Sequence, residues 1–259
     1  MHSAPEWEEP LLAGCLTAVP IRWNPHFGAP PSLPPAPSPA PPPDPPTGPS
    51  PGFPVEVWRA DLDALPEGPA ELLEELLCTE ERSRARRMVK AQDRERWMRA
   101  RGLLRALLAS HLECDPRTLR FQPGKHGKPA LAGGSARGFS ELHFNLSHSA
   151  GLAVYALARG ASVGGDIEAL QRRPSRDDVA LAEHVFGAEL AGRLRALAPA
   201  ERRREFLREW VRHEATRKCL GVGRSGPQPP QAATAGLRLA ELDVGPEAMA
   251  AIAMGTQAL

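Results

Sequence analysis

The apolar positions of the chain follow strand-like and helix-like spacings in separate segments after residue 54. Val55 opens a short alternation of apolar and polar residues, and Leu152 to Ala158 is an apolar run, so both segments are predicted to be strands. From Pro69 to about Cys78, leucines recur at helical spacing, which predicts a helix with one buried face. Thr79 is expected to begin a second helix, because acidic residues follow it near the positive end of the helix dipole.

A long helix is predicted near the end of the chain, from Pro199 to about Leu220, where Gly221 suits a C-cap position. Four of its residues are spaced by four and therefore share one row: Phe206, Trp210, Glu214 and Lys218. The simplest interpretation of the last two is an ordinary surface ion pair. After this helix, residues 237–242 and 248–254 are predicted to form two closing strands.

Residues 1–53 differ in composition from the rest of the chain. Of the 29 prolines, 15 lie between Pro25 and Pro54, and Asp44 is the only charged residue from Gly28 to Pro54. Such a segment cannot pair its backbone donors or bury a core, so residues 1–53 are predicted to be a disordered arm with partial polyproline II character. The functional alternative is a docking ligand for a proline-binding module, which no motif in the arm supports.

Net charge and cysteine spacing exclude some classes of function and indicate a cellular location. The formal net charge is +1, so there is no bulk electrostatic case for binding nucleic acid or an anionic membrane. No apolar run is long enough to span a bilayer, and the N-terminus lacks the pattern of a secretory signal. The four cysteines are scattered without metal-ligand or redox spacing, which predicts free thiols and a cytoplasmic location.

Two carboxylates lie two residues apart in the segment Val163 to Glu168. A strand in this segment would place Asp166 and Glu168 on one face, because side chains alternate across a strand. The two carboxylates would then repel each other unless a cation lay between them. Mg²⁺ suits the position, since it accepts one or two carboxylates together with the phosphates of a substrate. The alternative is a solvated acidic strand end, which is the more common meaning of so short a pattern.

Three further segments carry groups that suit an anion. The helix that begins at Thr79 is rich in arginine, whose guanidinium matches phosphate oxygens, although a solvated basic face is the alternative. The turn from Gly124 to Pro129 carries Lys128, which could meet a phosphate or lie in a simple hairpin. Ser147 and His148 suggest anion binding, with a buried core histidine or a hydrolase pair as alternatives. The Gly-x-Ser-x-Gly elbow of many hydrolases is missing from the sequence.

The order of these motifs resembles one enzyme family. The chain carries Gly-Lys-Pro, Phe-Asn-Leu-Ser-His-Ser, Val-Gly-Gly-Asp-Ile-Glu and then Trp-x-x-x-Glu-Ala-x-x-Lys. This series resembles the 4'-phosphopantetheinyl transferase superfamily, in particular its monomeric, surfactin-synthetase-activating type, from about Val55 to Met254. The resemblance implies an α/β (α+β) fold in which two similar halves form a pseudo-dimer with coenzyme A in the cleft between them. The halves would span residues 54–159 and 160–259, and the second would carry the metal site.

The same resemblance implies a reaction and a set of site residues. A Mg²⁺-dependent transferase would move the 4'-phosphopantetheine group from coenzyme A to a serine of an apo acyl or peptidyl carrier protein, releasing adenosine 3',5'-bisphosphate. The implied metal ligands are Asp166, Glu168 and Glu214. The implied catalytic residues are Glu214, as general base for the carrier serine, and Lys218, which assists the leaving group. The implied coenzyme A contacts are Arg84, Arg96, Lys128, Ser147, His148 and Lys218.

Three residues depart from the family pattern. His213 replaces a usual lysine, and Glu81 stands where some members have a basic residue. Gly165 replaces a branched apolar residue and is expected to loosen the strand beside the metal. These departures leave open a relative that binds coenzyme A but has lost turnover. A serine hydrolase built on Ser147 and His148 is a third hypothesis, without a convincing third catalytic residue.

Overall fold

A computed structural model of the protein describes residues 12, 14–23, 55–124, 127–132, 141–171, 177–222, 234 and 236–255. Within these residues the strands are β1 Thr17–Ala18, β2 Ile21–Trp23, β3 Val55–Asp61, β4 Arg120–Pro123, β5 Pro129–Ala132, β6 Leu142–Ser149, β7 Leu152–Arg159, β8 Val163–Ala169, β9 Leu237–Leu242 and β10 Ala248–Gly255. The helices are α1 Glu67–Glu75, α2 Thr79–Arg86, α3 Ala91–Leu112, α4 Asp178–Phe186, α5 Ala188–Ala196 and α6 Pro199–Leu220, with a 3₁₀ turn at Pro116–Thr118.

The strands form two four-stranded antiparallel sheets and one small hairpin. The first sheet has the order β1-β3-β7-β6, the second has the order β2-β9-β10-β8, and β4 pairs with β5. Apart from the two short N-terminal strands, the first sheet comes from residues before 160 and the second from residues after 160. In each sheet the last strand of this order, β6 or β8, is an edge strand.

Residues 14–23 differ from the predicted disordered arm. They contribute β1 to the first sheet, paired with β3, and β2 to the second sheet, paired with β9. Cys15 and Val19 are buried, so apolar side chains fix this segment against both sheets. Residues 24–54, which hold most of the predicted arm, lie outside the described residues.

Helices α1 and α3 cover the first sheet. Leu73 from α1 and Leu103 and Leu104 from α3 pack with Tyr155 and Leu157 of β7 in one core. Burial raises the pKa of Tyr155 well above its usual value, and its hydroxyl donates to the Ala100 carbonyl at 3.2 Å. The apolar run Leu152 to Ala158, predicted to be a strand, forms most of β7, and it is buried on both faces.

A second core joins the two sheets, and helix α6 covers the second one. Val154 of β7 and Ile167 of β8 belong to the joining core together with Ile252 of β10. Helix α6 packs its buried face, including Val211 and Ala215, against β9 and β10. The shorter helices α4 and α5 pack against the first turns of α6 around Phe206 and other apolar side chains.

The basic helix predicted from Thr79 is two helices. It ends at Arg86, and α3 begins at Ala91 after Lys90 adopts an extended backbone. The sequence has neither proline nor glycine between them, so none of the usual signals marks the break. Val89, in the connection, is 97% exposed.

Two smaller predictions can also be compared with the structure. Cys15, Cys78, Cys114 and Cys219 all lie among the described residues, and no disulfide bond joins them. Among the described residues, no helix combines the length and the apolar character needed to cross a membrane.

Candidate active site

Strand β6 presents two sets of side chains, one on each face, because it alternates. Asn145, Ser147 and Ser149 turn towards β8 and bond to it. Phe144, Leu146 and His148, at the intervening positions, line a cleft on the other side, against α2 and α3, and Asn145 also contributes to its lining. The motif Phe-Asn-Leu-Ser-His-Ser therefore serves two neighbouring sites at once.

On the β8 side, Asp166 lies in a buried polar cluster. Its Oδ1 atom accepts a hydrogen bond from the Lys218 ammonium at 2.5 Å and from the Ser147 hydroxyl at 2.9 Å. The same ammonium donates to the Ser147 hydroxyl at 3.0 Å and to the Gly165 carbonyl at 3.2 Å. Because α6 packs against β8, its Lys218 side chain lies next to the Asp166 carboxylate.

The second oxygen of Asp166 is buried and accepts no hydrogen bond from the described part of the chain. Burial raises the pKa of Asp166 to about 6, although the charge of Lys218 lowers it and the charge of nearby Glu168 raises it further. A buried carboxylate with one vacant oxygen is costly, because burial of an unsatisfied charge is unfavourable. This oxygen suits a hard cation, which prefers oxygen ligands.

The other two predicted metal ligands are Glu168, which follows Asp166 on β8, and Glu214, which precedes Lys218 by one turn of α6. Their carboxylates have different surroundings. Glu168 is half-buried and accepts a hydrogen bond from the Ser149 hydroxyl at 2.7 Å. Glu214 is buried, and its carboxylate lies 4.0 Å from the guanidinium of Arg217. Within the described ranges, no three acidic, histidine or cysteine side chains are gathered closely enough to hold a metal ion. The structure therefore couples Asp166 to Glu168 and to Lys218 but does not gather all three predicted ligands at one point.

Helix α6 can approach β8 because Gly164 has no side chain. A Cβ atom at this position would lie 2.2 Å from the Cys219 amide nitrogen and 2.3 Å from the Ala215 carbonyl oxygen. Gly165 has more room, and its amide donates to the Asn145 side chain at 2.9 Å. Gly165 also pairs with Ile252, so the β8–β10 ladder continues through this position.

The cleft on the other face of β6 has a volume of about 650 Å³. It is lined by α2, α3, β4 and β6, so it is bounded by the half of the chain before residue 160. Its charged lining is mostly basic, with these arginines: Arg84, Arg101, Arg105 and Arg120. Its aromatic lining is Trp97, Phe121 and Phe144. Guanidinium groups and aromatic rings together can bind the phosphates and the base of a nucleotide.

Glu81 fixes two of these arginines. Its carboxylate accepts from Arg101 Nε at 2.5 Å and from Arg105 Nε at 2.7 Å, and Arg105 is only 1% exposed. Burial alone would raise the pKa of Glu81, but the hydrogen bonds from Arg105 and Arg101 outweigh it and hold the pKa below its usual value. The Arg101 guanidinium lies 3.9 Å from the centre of the Phe121 ring. The acidic departure at Glu81 is therefore a structural support for the cleft.

The predicted coenzyme A contacts fall into three groups. Arg84 and His148 line the cleft, and Arg84 lies over the Trp97 ring at 5.4 Å. Lys218 and Ser147 lie with Asp166 instead, so Ser147 and His148 face opposite sides of β6. The structure does not place Ser147 beside His148 at one anion.

Arg96 and Lys128 are engaged elsewhere. Arg96 forms a two-bond ion pair with Asp63 and does not line the cleft. The Lys128 ammonium donates to the Val163 carbonyl at 2.7 Å, at the beginning of β8, and burial lowers its pKa. Lys125 and His126 of the predicted glycine-containing turn lie outside the described residues.

His213, the third departure from the family pattern, packs among aromatic rings. Its ring centre lies 5.3 Å from that of Phe186 and 6.2 Å from that of Trp210. Burial lowers the pKa of His213, which favours the neutral imidazole. Histidine at this position therefore packs against Phe186 and Trp210.

Two family models match this chain, one after the other. The model described as 4'-phosphopantetheinyl transferase, N-terminal, matches residues 69–159, and the one described as 4'-phosphopantetheinyl transferase superfamily matches residues 162–246. The chain belongs to the 4'-phosphopantetheinyl transferase superfamily. The predicted superfamily, the transferase class and the mixed helix-and-sheet fold are confirmed. The surfactin-type subgroup stays a prediction.

Two relatives of this chain are phosphopantetheinyl transferases from different organisms. The chain is 36% identical over 169 residues to the 4'-phosphopantetheinyl transferase HetI of Nostoc sp.. The aligned residues make up 65% of this chain and 69% of that relative. It is 38% identical over 130 residues to the L-aminoadipate-semialdehyde dehydrogenase-phosphopantetheinyl transferase of Eremothecium gossypii, covering 48% of this chain and 45% of that relative. The chain thus spans less than half of the second of these transferases.

Several residues of the two sites were not singled out from the sequence, and four of them show why. Asn145 and Ser149 contact β8, and Arg101 and Arg105 line the cleft. The first two share strand parity with Ser147, so the alternation of polar and apolar residues in this motif could have identified them. The two arginines are one helical turn apart on α3, but their partner Glu81 lies on another helix, which no local pattern shows.

Proposed function

We propose that this protein transfers the 4'-phosphopantetheine group of coenzyme A to a serine of an apo carrier protein in the presence of Mg²⁺. The observation that carries the proposal is the buried Asp166 carboxylate, held on one oxygen by Lys218 and Ser147 and open on the other. Membership of the superfamily supports the reaction, and the neighbouring basic and aromatic cleft supports a nucleotide-containing donor.

The two sites suggest how coenzyme A would lie. We place its adenosine and ribose phosphate in the cleft with Arg84 and His148, and its pyrophosphate towards Lys218. Asp166 and Glu168 would hold Mg²⁺, which supplies positive charge to the pyrophosphate oxygens when it is bound. Glu214 is kept as the third predicted ligand, since it lies one helical turn before Lys218 on α6.

The chain's own residues then account for the proton and the leaving group. The oxygen of the carrier serine forms a bond to the phosphorus that is joined to pantetheine, and its proton passes to the Glu214 carboxylate. The bond between this phosphorus and the bridging oxygen breaks, and adenosine 3',5'-bisphosphate leaves. Lys218 stabilises the charge that develops on the leaving phosphate, as a positioned cation does in phosphoryl transfer.

The first test is intact mass spectrometry of an apo carrier protein incubated with this protein, coenzyme A and Mg²⁺. We expect a mass gain of one phosphopantetheine, which disappears with a chelator or with Asp166→Ala while the variant keeps its folded circular dichroism spectrum. Activity of folded Asp166→Ala equal to wild type would contradict the metal assignment. Coenzyme A binding without a mass gain on any carrier type would instead identify a relative that has lost turnover.

His148 tests the placement of the nucleotide. The change His148→Ala should weaken coenzyme A binding about tenfold, with a smaller effect on the rate at saturation, because the imidazole contacts the bound donor and not the reacting phosphorus. Calorimetric titration with coenzyme A measures the affinity. His184→Ala, an exposed histidine on α4 that does not line the cleft, is the control. An unchanged affinity for His148→Ala would remove His148 from the binding site.

A further inference from the structure

Every second residue at the end of β6 is a polar residue that bonds to β8. The Asn145 side-chain oxygen accepts from the Gly165 amide at 2.9 Å. The Ser147 hydroxyl donates to Asp166 at 2.9 Å, and the Ser149 hydroxyl donates to Glu168 at 2.7 Å. All three side chains are buried. We call Asn145, Ser147 and Ser149 the β6 row.

Side-chain hydrogen bonds from the β6 row join β6 to β8, in the place where backbone hydrogen bonds would join neighbouring strands of one sheet. Strands β6 and β8 are edge strands of different sheets, and the amides of Gly165 and Ala169 turn towards β6. Buried backbone amides require an acceptor, and here the Asn145 oxygen and the Ser149 hydroxyl supply it.

Each serine of the row has its one proton directed at a carboxylate. Ser149 accepts from the Ala169 amide at 3.1 Å, so its hydroxyl proton is free to point to Glu168. Ser147 accepts from the Lys218 ammonium at 3.0 Å and donates its own proton to Asp166. Both hydroxyls are thereby fixed on two sides, and each fixes one carboxylate oxygen of the acidic pair.

We propose that Ser147 and Ser149 are positioning residues by which the N-terminal half orients the Asp166 and Glu168 carboxylates of the C-terminal half for a divalent cation. This inference rests on the proposed function, which makes the two carboxylates metal ligands. Hydrogen-bond partners behind a metal ligand fix its orientation, and their loss typically weakens metal affinity about 10- to 100-fold. The two serines would therefore act on metal affinity through the carboxylates, whereas Asn145 bonds to the Gly165 amide and also lines the cleft.

The test is a titration of the full-length protein with Mn²⁺, a paramagnetic substitute for Mg²⁺, in the presence of coenzyme A and without a carrier protein. Electron paramagnetic resonance of free Mn²⁺ reports binding independently of turnover. We expect Ser149→Ala and Ser147→Ala each to bind Mn²⁺ about tenfold more weakly than wild type or worse. Ser149→Thr keeps a hydroxyl and should restore most of the affinity.

Ser162→Ala is the matched control. Ser162 is equally buried and its hydroxyl contacts Cys219 Sγ at 3.3 Å, so its loss tests a missing buried hydroxyl away from the carboxylates. Wild-type affinity in both Ser149→Ala and Ser147→Ala would overturn the positioning role and leave the proposed function intact. A wild-type protein that binds no Mn²⁺ would overturn both. If Ser149→Ala does not fold, the folded Ser147→Ala variant decides alone.

Discussion

Gly164 and Gly165 are neighbours, but only Gly164 lies where there is no space for a side chain. At Gly164 a Cβ atom would overlap the backbone of α6, whereas at Gly165 the nearest atoms to a Cβ would lie 3.7 Å away, an ordinary contact. The atoms around Gly164 belong to helix backbone, which cannot move aside as a flexible side chain can. The close packing that brings Lys218 to Asp166 therefore depends on the absence of a side chain at Gly164 alone.

Gly164→Ala should lower the free energy of unfolding by about 3 kcal/mol or more, because it overpacks the contact between β8 and α6. Gly165→Ala is the matched control and should change the free energy of unfolding by less than about 1 kcal/mol. Denaturant unfolding followed by circular dichroism measures both. Equal losses in the two variants would show that α6 does not rest on Gly164.

The sequence predicted the position of a site residue where its spacing along one strand or helix was informative. The sequence placed Asp166 and Glu168 on one strand and Lys218 on a helix, and the structure has all three in those elements. Arg96 was grouped with the phosphate contacts, but its partner Asp63 lies 33 residues earlier in a loop, and no spacing rule shows such a pair. The role of Glu81 was equally hidden, because its arginines belong to a different helix.

At the scale of elements, α2 and α3 are joined through buried charges. Glu81 lies near the start of α2, where its second role is to accept from the Cys78 amide at 3.0 Å as part of a capping box. Arg105 extends the network to the Pro116 carbonyl at 2.6 Å, beyond the end of α3. One carboxylate thus fixes α2, α3 and the following turn, and these elements form the basic wall of the cleft.

Glu81→Gln should lower the free energy of unfolding by about 3 kcal/mol at neutral pH, because it leaves Arg105 buried without its counter-charge. The folded-state pKa of Glu81 lies below its usual value, so the stabilisation is complete above about pH 5 and is lost as the pH falls through the lowered pKa. The difference between wild type and variant should therefore shrink in acid.

Denaturant unfolding at pH 7 and at pH 3 measures this difference directly. Glu95→Gln, at an exposed position on α3 outside the cleft, is the control and should behave as wild type at both values. A Glu81→Gln deficit that is equally large at pH 3 would mean that the lost interaction is not the charge pair. Weaker coenzyme A binding by the folded variant would further connect the network to the cleft.

The elements themselves were predicted to different degrees. Strands β7 and β8 and helix α6 follow clear apolar spacing, and their sequence predictions match the structure within a few residues. The division between α2 and α3 was missed because it depends on tertiary contacts. The leucines of α3 pack in the core of the first sheet, whereas α2 directs Glu81 towards Arg101 of α3. Strands β1 and β2 were missed because the composition of residues 25–54 was extended to the whole of residues 1–53, although residues 14–23 contain a single proline.

At the scale of the molecule, the two sheets meet through an apolar core on one side and through polar side chains on the other. Val154 and Ile167 bury the joining core, while the β6 row and two lysines cover the open edge of β8. The carboxylates that would bind the cation come from one half, and the serines that hold them come from the other. Ligand binding and the association of the halves should therefore be thermodynamically linked.

Mg²⁺ and coenzyme A together should raise the thermal unfolding temperature of the whole chain in a single transition. At ligand concentrations near 100 times the dissociation constant, the stabilisation expected from linkage is about 2.7 kcal/mol. In Ser149→Ala the same ligand concentrations should give a clearly smaller increase, because the weaker site is less saturated. Differential scanning calorimetry measures the transitions, with Ser162→Ala as the control for a lost buried hydroxyl.

Two results of this calorimetry would contradict the linkage. If only one of two separate transitions moved with ligand, the halves would unfold independently, and the β6 row could not transmit binding from one half to the other. If Ser149→Ala showed the same increase as wild type, its hydroxyl would stabilise the fold without affecting the acidic pair. The expected pattern requires one transition, because the same buried hydrogen bonds close the interface and orient Asp166 and Glu168.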